Sequence, residues 1–206
     1  MGSEIRAYRM RAPNVERVVF ETGPLSVWFY HALRAEGVPA ICIDARHAKA
    51  ALDMAANKTD ANDADGLAHL AEVGFFREVR VKGFDSMLSR TLVAAETKLK
   101  RTALDVANQI RGLMKTFGLI VPCGRGGKFE VHVHSLLADN ADLSRIIRPL
   151  LEAWRSLRLQ AAGLGRQLLA EARRNQQCQL LMSIPGVGAI TATAYLNAVE
   201  DPANFT

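Results

Sequence analysis

The chain has 206 residues, of which 49% are hydrophobic and 23% are charged, and its formal net charge is +5. This composition is typical of an ordinary soluble protein, and no apolar run approaches the ~20 residues that a membrane-spanning helix needs. Residues 1–11 lack the apolar core of a signal peptide. The three cysteines, Cys42, Cys123 and Cys178, are far apart in the sequence. Their number and spacing favour a reducing compartment and exclude a zinc-binding pattern, so a cytoplasmic location is expected.

Charge is unevenly distributed along the chain. Residues 1–79 hold nine basic and eleven acidic residues, a net charge of −2, whereas residues 80–128 hold ten basic and three acidic, a net of +7. Residues 143–177 hold seven basic and two acidic, a net of +5. Basic segments of this kind are typical of proteins that bind a phosphate backbone. The alternative for any one cluster is a solvated helix face. The candidates for phosphate contact in the first long basic segment are Lys98, Lys100 and Arg101.

The first third of the chain alternates between strand and helix patterns. An apolar, β-branched run is interrupted by Gly23-Pro24, and a helical pattern follows it. A second short strand and two further helical patterns come next. The predicted elements are a strand at 15–21, a helix at 25–36, a strand at 39–44, and helices at 45–56 and 60–73. This order indicates an α/β domain with some parallel strand pairing.

Two long helical patterns follow. Residues 88–117 have apolar positions spaced by three and four, including Ala103, Val106, Ile110 and Leu113, and predict a helix about 45 Å long. Gly118 is the expected end, and 121–128 is expected to be a loop. A second seam covers residues 143–168 and contains Pro149, where the helix either begins or kinks. The two seams predict an antiparallel, coiled-coil-like helical hairpin or a dimerisation arm.

The C-terminal segment has the pattern of a helix-hairpin-helix. An apolar turn precedes Ile184-Pro185-Gly186-Val187-Gly188, and a new apolar helix follows. Gly186 and Gly188 would let backbone N–H groups approach a phosphate at a helix N-terminus. The alternative is a simple tight turn between packed helices.

Three acidic residues are candidates for a metal site. Asp60 and Asp63 are three residues apart, so a helix places them on one face, and Glu21 ends the first predicted strand. Carboxylate oxygens are the ligands that Mg²⁺ prefers, and such a site would support phosphoryl-transfer chemistry. The alternative for the two aspartates is helix capping, with Asp60 as the N-cap residue. Asp44 and Asp65 are weaker candidates.

The remaining titratable residues give weaker signals. His132 and His134 are two residues apart with Glu130 nearby, in a segment expected to be strand or loop, and they form no catalytic triad. Cys42 lies between two isoleucines and is expected to be a core residue.

Three segments of the sequence resemble one family, the DEDD-type insertion-sequence transposases. The segments are Phe20-Glu21-Thr22-Gly23, Lys58-Thr59-Asp60-x-x-Asp63-Ala64 and Ile184-Pro185-Gly186-Val187-Gly188-x-Ile190-Thr191-Ala192. The resemblance implies a RuvC-like (RNase H-type) core at 1–84, a long helical region at 85–177 and the start of a second transposase module at 178–206. The expected fold class is therefore α/β and mostly helical overall.

The resemblance also implies an activity. The family's four acids bind Mg²⁺, and the second, third and fourth correspond to Glu21, Asp60 and Asp63. Its members recombine element ends with target DNA, guided by a structured RNA, and a serine in the C-terminal module acts as nucleophile. By this resemblance the expected partners are DNA, such an RNA and further copies of the chain, in the nucleoid of a bacterial cytoplasm.

The sequence departs from the family pattern near both ends. The first acid should precede Glu21 on an earlier strand, but residues 1–14 contain no Asp and only one acid, Glu4. The serine should lie beyond residue 206. We therefore expect an incomplete copy that binds nucleic acid but does not recombine DNA alone. Two alternatives are a non-catalytic nucleic-acid-binding remnant that dimerises through the helical seams, and a nuclease resembling Holliday-junction resolvases.

Overall fold

The computed structural model describes residue 7 and residues 14–52, 59–122, 124 and 127–200. The predicted continuation of a helix to residue 56, and the residues Lys58 and Cys123, lie outside this part of the chain. Contacts divide the chain into two compact units, Met1–Gly83 and Phe84–Thr206. The described residues form one small parallel sheet and eight regular helices, so the expectation of a mostly helical α/β chain is confirmed. The RuvC-like assignment and the functional boundary at 177/178 stay predictions.

The first unit is built on two parallel strands. β1 (Val18–Glu21) pairs with β2 (Ala40–Ile43) in a register that starts with Val18 opposite Ala40. Because parallel strands cannot be joined by a tight turn, the chain crosses over through helix α1 (Ser26–Ala35). Each of these three elements lies within the predicted range and is one to three residues shorter at one or both ends.

Apolar side chains from α1 and both strands form the core of this unit. Leu33 and Val38 are buried, and Phe20 and Phe29 pack against them with ring centroids 5.1 Å apart in an edge-to-face arrangement. The β-branched and aromatic residues of the strands therefore form a half-buried surface that the helix covers.

Two further helices complete the first unit. They are α2 (Ala45–Leu52) and α3 (Asp60–Val73), and α3 has the predicted bounds. Gly74 ends α3 with a φ of 69°, a conformation that glycine adopts without strain. The following residues lie antiparallel to β2, where the Val79 N–H donates to the Cys42 carbonyl at 2.8 Å.

The second unit is a helical hairpin. Its long helices α4 (Phe84–Lys115) and α6 (Ala141–Arg174) pack against each other, and the short helix α5 (Gly127–Leu136) lies between them in sequence. The pairing is antiparallel: Glu96 lies opposite Gly165, whereas residues later on α4 face residues earlier on α6. The expected antiparallel hairpin is therefore formed within this unit, and the dimerisation arm and the coiled-coil geometry stay predictions.

The buried stripe of α4 is rotated from the predicted one. Ala103 and Ile110 are buried as expected, but the other two buried apolar residues of α4 are Ala107 and Met114. The predicted seam residues Val106 and Leu113 only flank the core, because α4 contributes to a core shared with α5 as well as α6. The largest buried side chains in this core include Ile110, Met114, Phe129 and Ile147.

Of the two alternatives for Pro149, the structure excludes the first: the proline does not begin α6 but lies inside it, and the helix is capped by Asn140, whose Oδ1 accepts from the Leu143 N–H at 2.9 Å. His132 and His134 lie in α5, so the prediction of a strand or loop there is wrong. An N-terminal cap and a continuous apolar face on α6 outweigh the one hydrogen bond that the proline removes.

The described part of the chain ends with two short helices. α7 (Gln176–Met182) and α8 (Ala189–Val199) pack together and against α6 around a small core of Ala172, Cys178 and Ala192. In the described residues no helix is both long and apolar enough to span a bilayer.

Two neighbouring isoleucines of α6 provide a test of the hairpin core. Ile147 is 0% exposed and Ile146 is 62% exposed. We expect Ile147→Ala to lower the free energy of unfolding by about 2–5 kcal/mol, because it removes three buried carbon atoms and leaves a cavity. Ile146→Ala, the matched control, should change it by less than about 0.5 kcal/mol. Urea denaturation of the full chain measures both, and equal effects would contradict this description of the core.

Candidate functional site

The first turn of α3 holds the two candidate aspartates. Thr59, not Asp60, is the N-cap residue: its Oγ1 accepts from the Asn62 N–H at 3.2 Å. The prediction that Asp60 caps the helix is therefore wrong. Asp60 is exposed and Asp63 is half-buried, and both lie in the first turn, where the helix dipole stabilises negative charge.

Glu21 lies at the other candidate position, the end of β1. It is half-buried, and its Cα is paired with that of Ile43 at the end of β2. The next residue, Asp44, donates its backbone N–H to the Arg77 carbonyl at 3.1 Å. Arg77 follows the last turn of α3. This hydrogen bond therefore places the C-terminal end of α3 near the end of β2. Asp63 lies ten residues before the end of α3, about 15 Å along the helix axis.

The structure thus brings Asp60 and Asp63 together but does not join Glu21 to them. Across the part of the chain that the structure describes, no three His, Cys, Asp or Glu side chains are grouped so that they could hold a metal ion. The donor chemistry of the three carboxylates suits Mg²⁺, and two of them, Asp60 and Asp63, lie in one helix turn. Mg²⁺ binding by these residues therefore stays a prediction.

Asp44, the weaker candidate at this edge, is engaged locally. One carboxylate oxygen accepts from the Arg46 N–H at 2.9 Å, and the other lies 3.3 Å from the Arg46 guanidinium. This pattern is an Asx-type turn that starts α2. Asp65 is exposed on α3.

Cys42 is a core residue, as predicted. It is 1% exposed in the middle of β2. Burial raises the pKa of the Cys42 thiol, the nearby negative charge of Glu78 adds to the rise, and a hydrogen bond with Ser26 opposes it. Because the reactive form is the thiolate, this thiol is unsuited to nucleophilic chemistry at neutral pH.

The acid beside the histidines of α5 is already paired. Glu130 forms an ion pair with Arg155 on α6, and His134 Nε2 lies 3.8 Å from the same carboxylate oxygen. The ion pair of Glu130 thus links α5 to α6. This structural role accounts for an acid one turn before His134.

The turn between α7 and α8 is open to solvent. Gly186 and Gly188 are exposed, and a Cβ atom added to either would meet no atom within 4 Å. Gly186 has a φ of 86°, which requires glycine, whereas Gly188 has an ordinary φ of −91° and is the N-cap residue of α8, without a side-chain cap. The first N–H groups of α8 therefore face a site that a ligand can reach.

The basic candidates on α4 have different surroundings. Lys98 and Arg101 are exposed, whereas Lys100 forms an ion pair with the buried Glu96. Lys100 also lines a cavity with residues that the sequence analysis missed, Arg111 and Arg158. The sequence could have indicated Arg158, because it lies four residues after Trp154 and so on the same helix face. Arg111 had no such signal, because its aromatic neighbour comes from another helix.

Comparisons with known proteins agree with the resemblance seen in the sequence. A family model of DEDD transposases of the IS110 type, described as "Transposase", matches residues 5–118. The "Transposase for insertion sequence element IS1111A" of Coxiella burnetii is 30% identical over 193 residues, 91% of this chain and 52% of that protein. The "Probable family 20 transposase" of Pseudomonas aeruginosa is 27% identical over 155 residues, 72% of this chain and 46% of that protein.

The chain thus spans about half the length of these two curated relatives. The family match covers more than half of the chain itself, and the similarity to the Coxiella protein extends over nearly all of it. The chain therefore belongs to the DEDD-type insertion-sequence transposases of the IS110 group.

Proposed function

We propose that this chain is the nucleic-acid-binding part of an insertion-sequence transposase that recombines DNA. The observation that carries the proposal is the similarity over 91% of the chain to a protein named as such a transposase. The charge distribution supports it, since residues 80–128 and 143–177 hold net charges of +7 and +5. These segments contain most of α4 and α6. The partners that we propose are the element ends and target DNA, a structured guide RNA and further copies of the chain.

The physical basis of binding is neutralisation of phosphates by these two helices. Their buried apolar residues form the shared core, and Lys98, Arg101 and Arg166 are exposed to solvent. Each phosphate that such a side chain neutralises releases a condensed counterion, and affinity then falls steeply with salt. The exposed turn before α8 is a second candidate contact, because unpaired N–H groups at a helix N-terminus attract phosphate.

The proposed catalytic centre consists of Glu21, Asp60 and Asp63 with Mg²⁺. When bound, such ions stabilise the attacking and leaving oxygens of a phosphoryl transfer. The part that this chain's residues play is to supply hard carboxylate oxygens, two of them from one helix turn fixed by the Thr59 cap. Holding an ion with all three requires Glu21 to approach that turn.

A second candidate function is a non-catalytic nucleic-acid-binding protein. The observation in its favour is that the described residues contain no cluster of three potential metal ligands. It shares the basic helices with the first proposal and differs from it only in metal binding. Measurement of metal affinity therefore distinguishes the two.

Metal binding is tested by calorimetric titration of the full chain with Mg²⁺ and Mn²⁺. If Asp60 and Asp63 are ligands, the Asp60→Asn/Asp63→Asn variant should bind at least roughly tenfold more weakly, since even outer-shell partners of a metal matter on this scale. The control is Glu72→Gln, which removes an exposed carboxylate from the same helix, away from its first turn. Equal affinity of all three proteins would favour the non-catalytic candidate.

Phosphate contact by the exposed turn is tested by substitution of Gly188. Because φ at Gly188 is −91°, Asp and Asn are both tolerated and both are good N-cap residues. We expect Gly188→Asp to weaken binding to duplex DNA or structured RNA several-fold through repulsion, while Gly188→Asn has little effect and both variants keep or raise thermal stability. Wild-type affinity should fall by orders of magnitude from about 50 to about 200 mM salt.

The outcomes of this experiment are separable. If binding does not depend on salt, the proposed phosphate recognition is wrong. If Gly188→Asp and Gly188→Asn bind equally well, the turn has only a structural role.

A further inference from the structure

A cavity of about 370 Å³ lies among α4, α5 and α6 in the second unit. This volume is at the lower end of the range of small-molecule sites in proteins. Small buried side chains leave the space open, and long cationic side chains surround it. The small ones are Ala103, Ala107 and Ala161, and the cationic ones are Lys100, Arg111 and Arg158.

The two arginines are held in place by aromatic rings. The guanidinium carbon of Arg111 lies 4.5 Å from the ring centroid of Phe129, and that of Arg158 lies 4.7 Å from the ring of Trp154. Both rings are buried in the hairpin core with centroids 4.9 Å apart. The rings thus position the two guanidinium groups through cation–π contacts. One face of each group lies over its ring, and both arginines line the cavity.

The charge of the cavity is not balanced from within. Among the described residues, no carboxylate forms an ion pair with Arg111 or Arg158, and the only side-chain hydrogen bond of Arg111 is to Asn108 Oδ1 at 3.5 Å. No acidic side chain is among the described residues that line the cavity, and Glu96, which is 1% exposed, contacts Lys100. Two fixed guanidinium groups beside a cavity therefore favour an anionic, planar ligand.

We propose that this cavity receives one nucleotide extruded from a bound nucleic-acid strand, with its base against a guanidinium face and its phosphate near Lys100. Bases stack on arginine planes as they do on aromatic rings. The exposed basic residues of α4 and α6 would guide the flanking backbone past the cavity. This inference rests on the proposed nucleic-acid function, and it adds the site and the kind of contact.

The test measures binding of the full chain to single strands of about 12 nucleotides, within the site sizes of single-strand binders. Oligo(dT) and oligo(rU) distinguish DNA from RNA as the source of the nucleotide. For each sugar, an abasic strand of the same length keeps the phosphates and removes the bases. The variants are Arg158→Lys and Arg111→Lys, which keep the charge but lose the planar group. The control is Arg34→Lys, an exposed position on α1 that lies outside the basic segments and does not line the cavity.

We expect wild type to prefer the base-containing strand of at least one sugar over its abasic form. Each cavity variant should lose roughly fivefold or more on the intact strand, the lower end of the stacking contribution of one base, and little on the abasic strand. Arg34→Lys should match wild type on both. Far-UV circular dichroism and thermal unfolding confirm that the variants are folded.

Fluorescence gives an independent readout at the cavity. In a Trp28→Phe background Trp154 is the only tryptophan, and its emission should change on binding of the intact strand but not of the abasic one. Equal losses on intact and abasic strands, or equal losses in Arg34→Lys, would overturn the nucleotide site and leave the proposed function standing. Absence of nucleic-acid binding by wild type would instead overturn the proposed function.

Discussion

The second unit depends on the antiparallel packing of α4 against α6. Ile110 and Ile147, both fully buried, belong to the apolar core of this hairpin, and Phe129 of α5 completes it. Helices of more than thirty residues are stable in water chiefly because such a face is buried. The same packing leaves the charged residues of both helices on the outside. The described Lys and Arg residues that make this unit basic are accordingly exposed or half-buried.

Glu96 is an exception to this separation of core and charge. It is buried on α4, and one of its carboxylate oxygens would lie only 3.6 Å from a Cβ atom at Gly165. An unpaired buried carboxylate is costly, and here the Lys100 ammonium group compensates for it at the cavity edge. The ion pair holds Lys100 beside Arg111 and Arg158, so a structural feature and the proposed nucleotide site share one residue. Gly165 leaves room for the carboxylate on the facing helix.

The sequence was informative where one signal dominated. The bounds of α3 agree with the prediction, and the residues that set them are Thr59 and Gly74, although the sequence analysis considered Asp60 and not Thr59 as the cap. The hydrogen bonds at both ends of α3 join residues three or four apart, so the residue spacing in the sequence can predict them. The family was likewise identified from short motifs that the comparisons support.

Other features depend on contacts that no local pattern encodes. The buried face of α4 was misplaced because α5 packs beside α6, which the heptad pattern does not contain. The sequence left open whether α6 begins or kinks at Pro149, because the cap at Asn140 and the apolar face of α6 decide where that helix begins. The pairing of Arg111 with Phe129 joins two helices and has no signature in spacing. Whether Glu21 meets Asp60 and Asp63 depends on the path of the chain between them, and spacing alone did not determine it.

The central claim is that the basic hairpin, residues 84–174, is the nucleic-acid-binding surface of this transposase-family chain. Photo-cross-linking of the full chain to single-stranded and duplex DNA and to RNA, followed by peptide mapping, tests it most directly. The account predicts that cross-linked peptides come mainly from α4 and α6, with Trp154 and its neighbours among them. Cross-links confined to the Met1–Gly83 unit would contradict it.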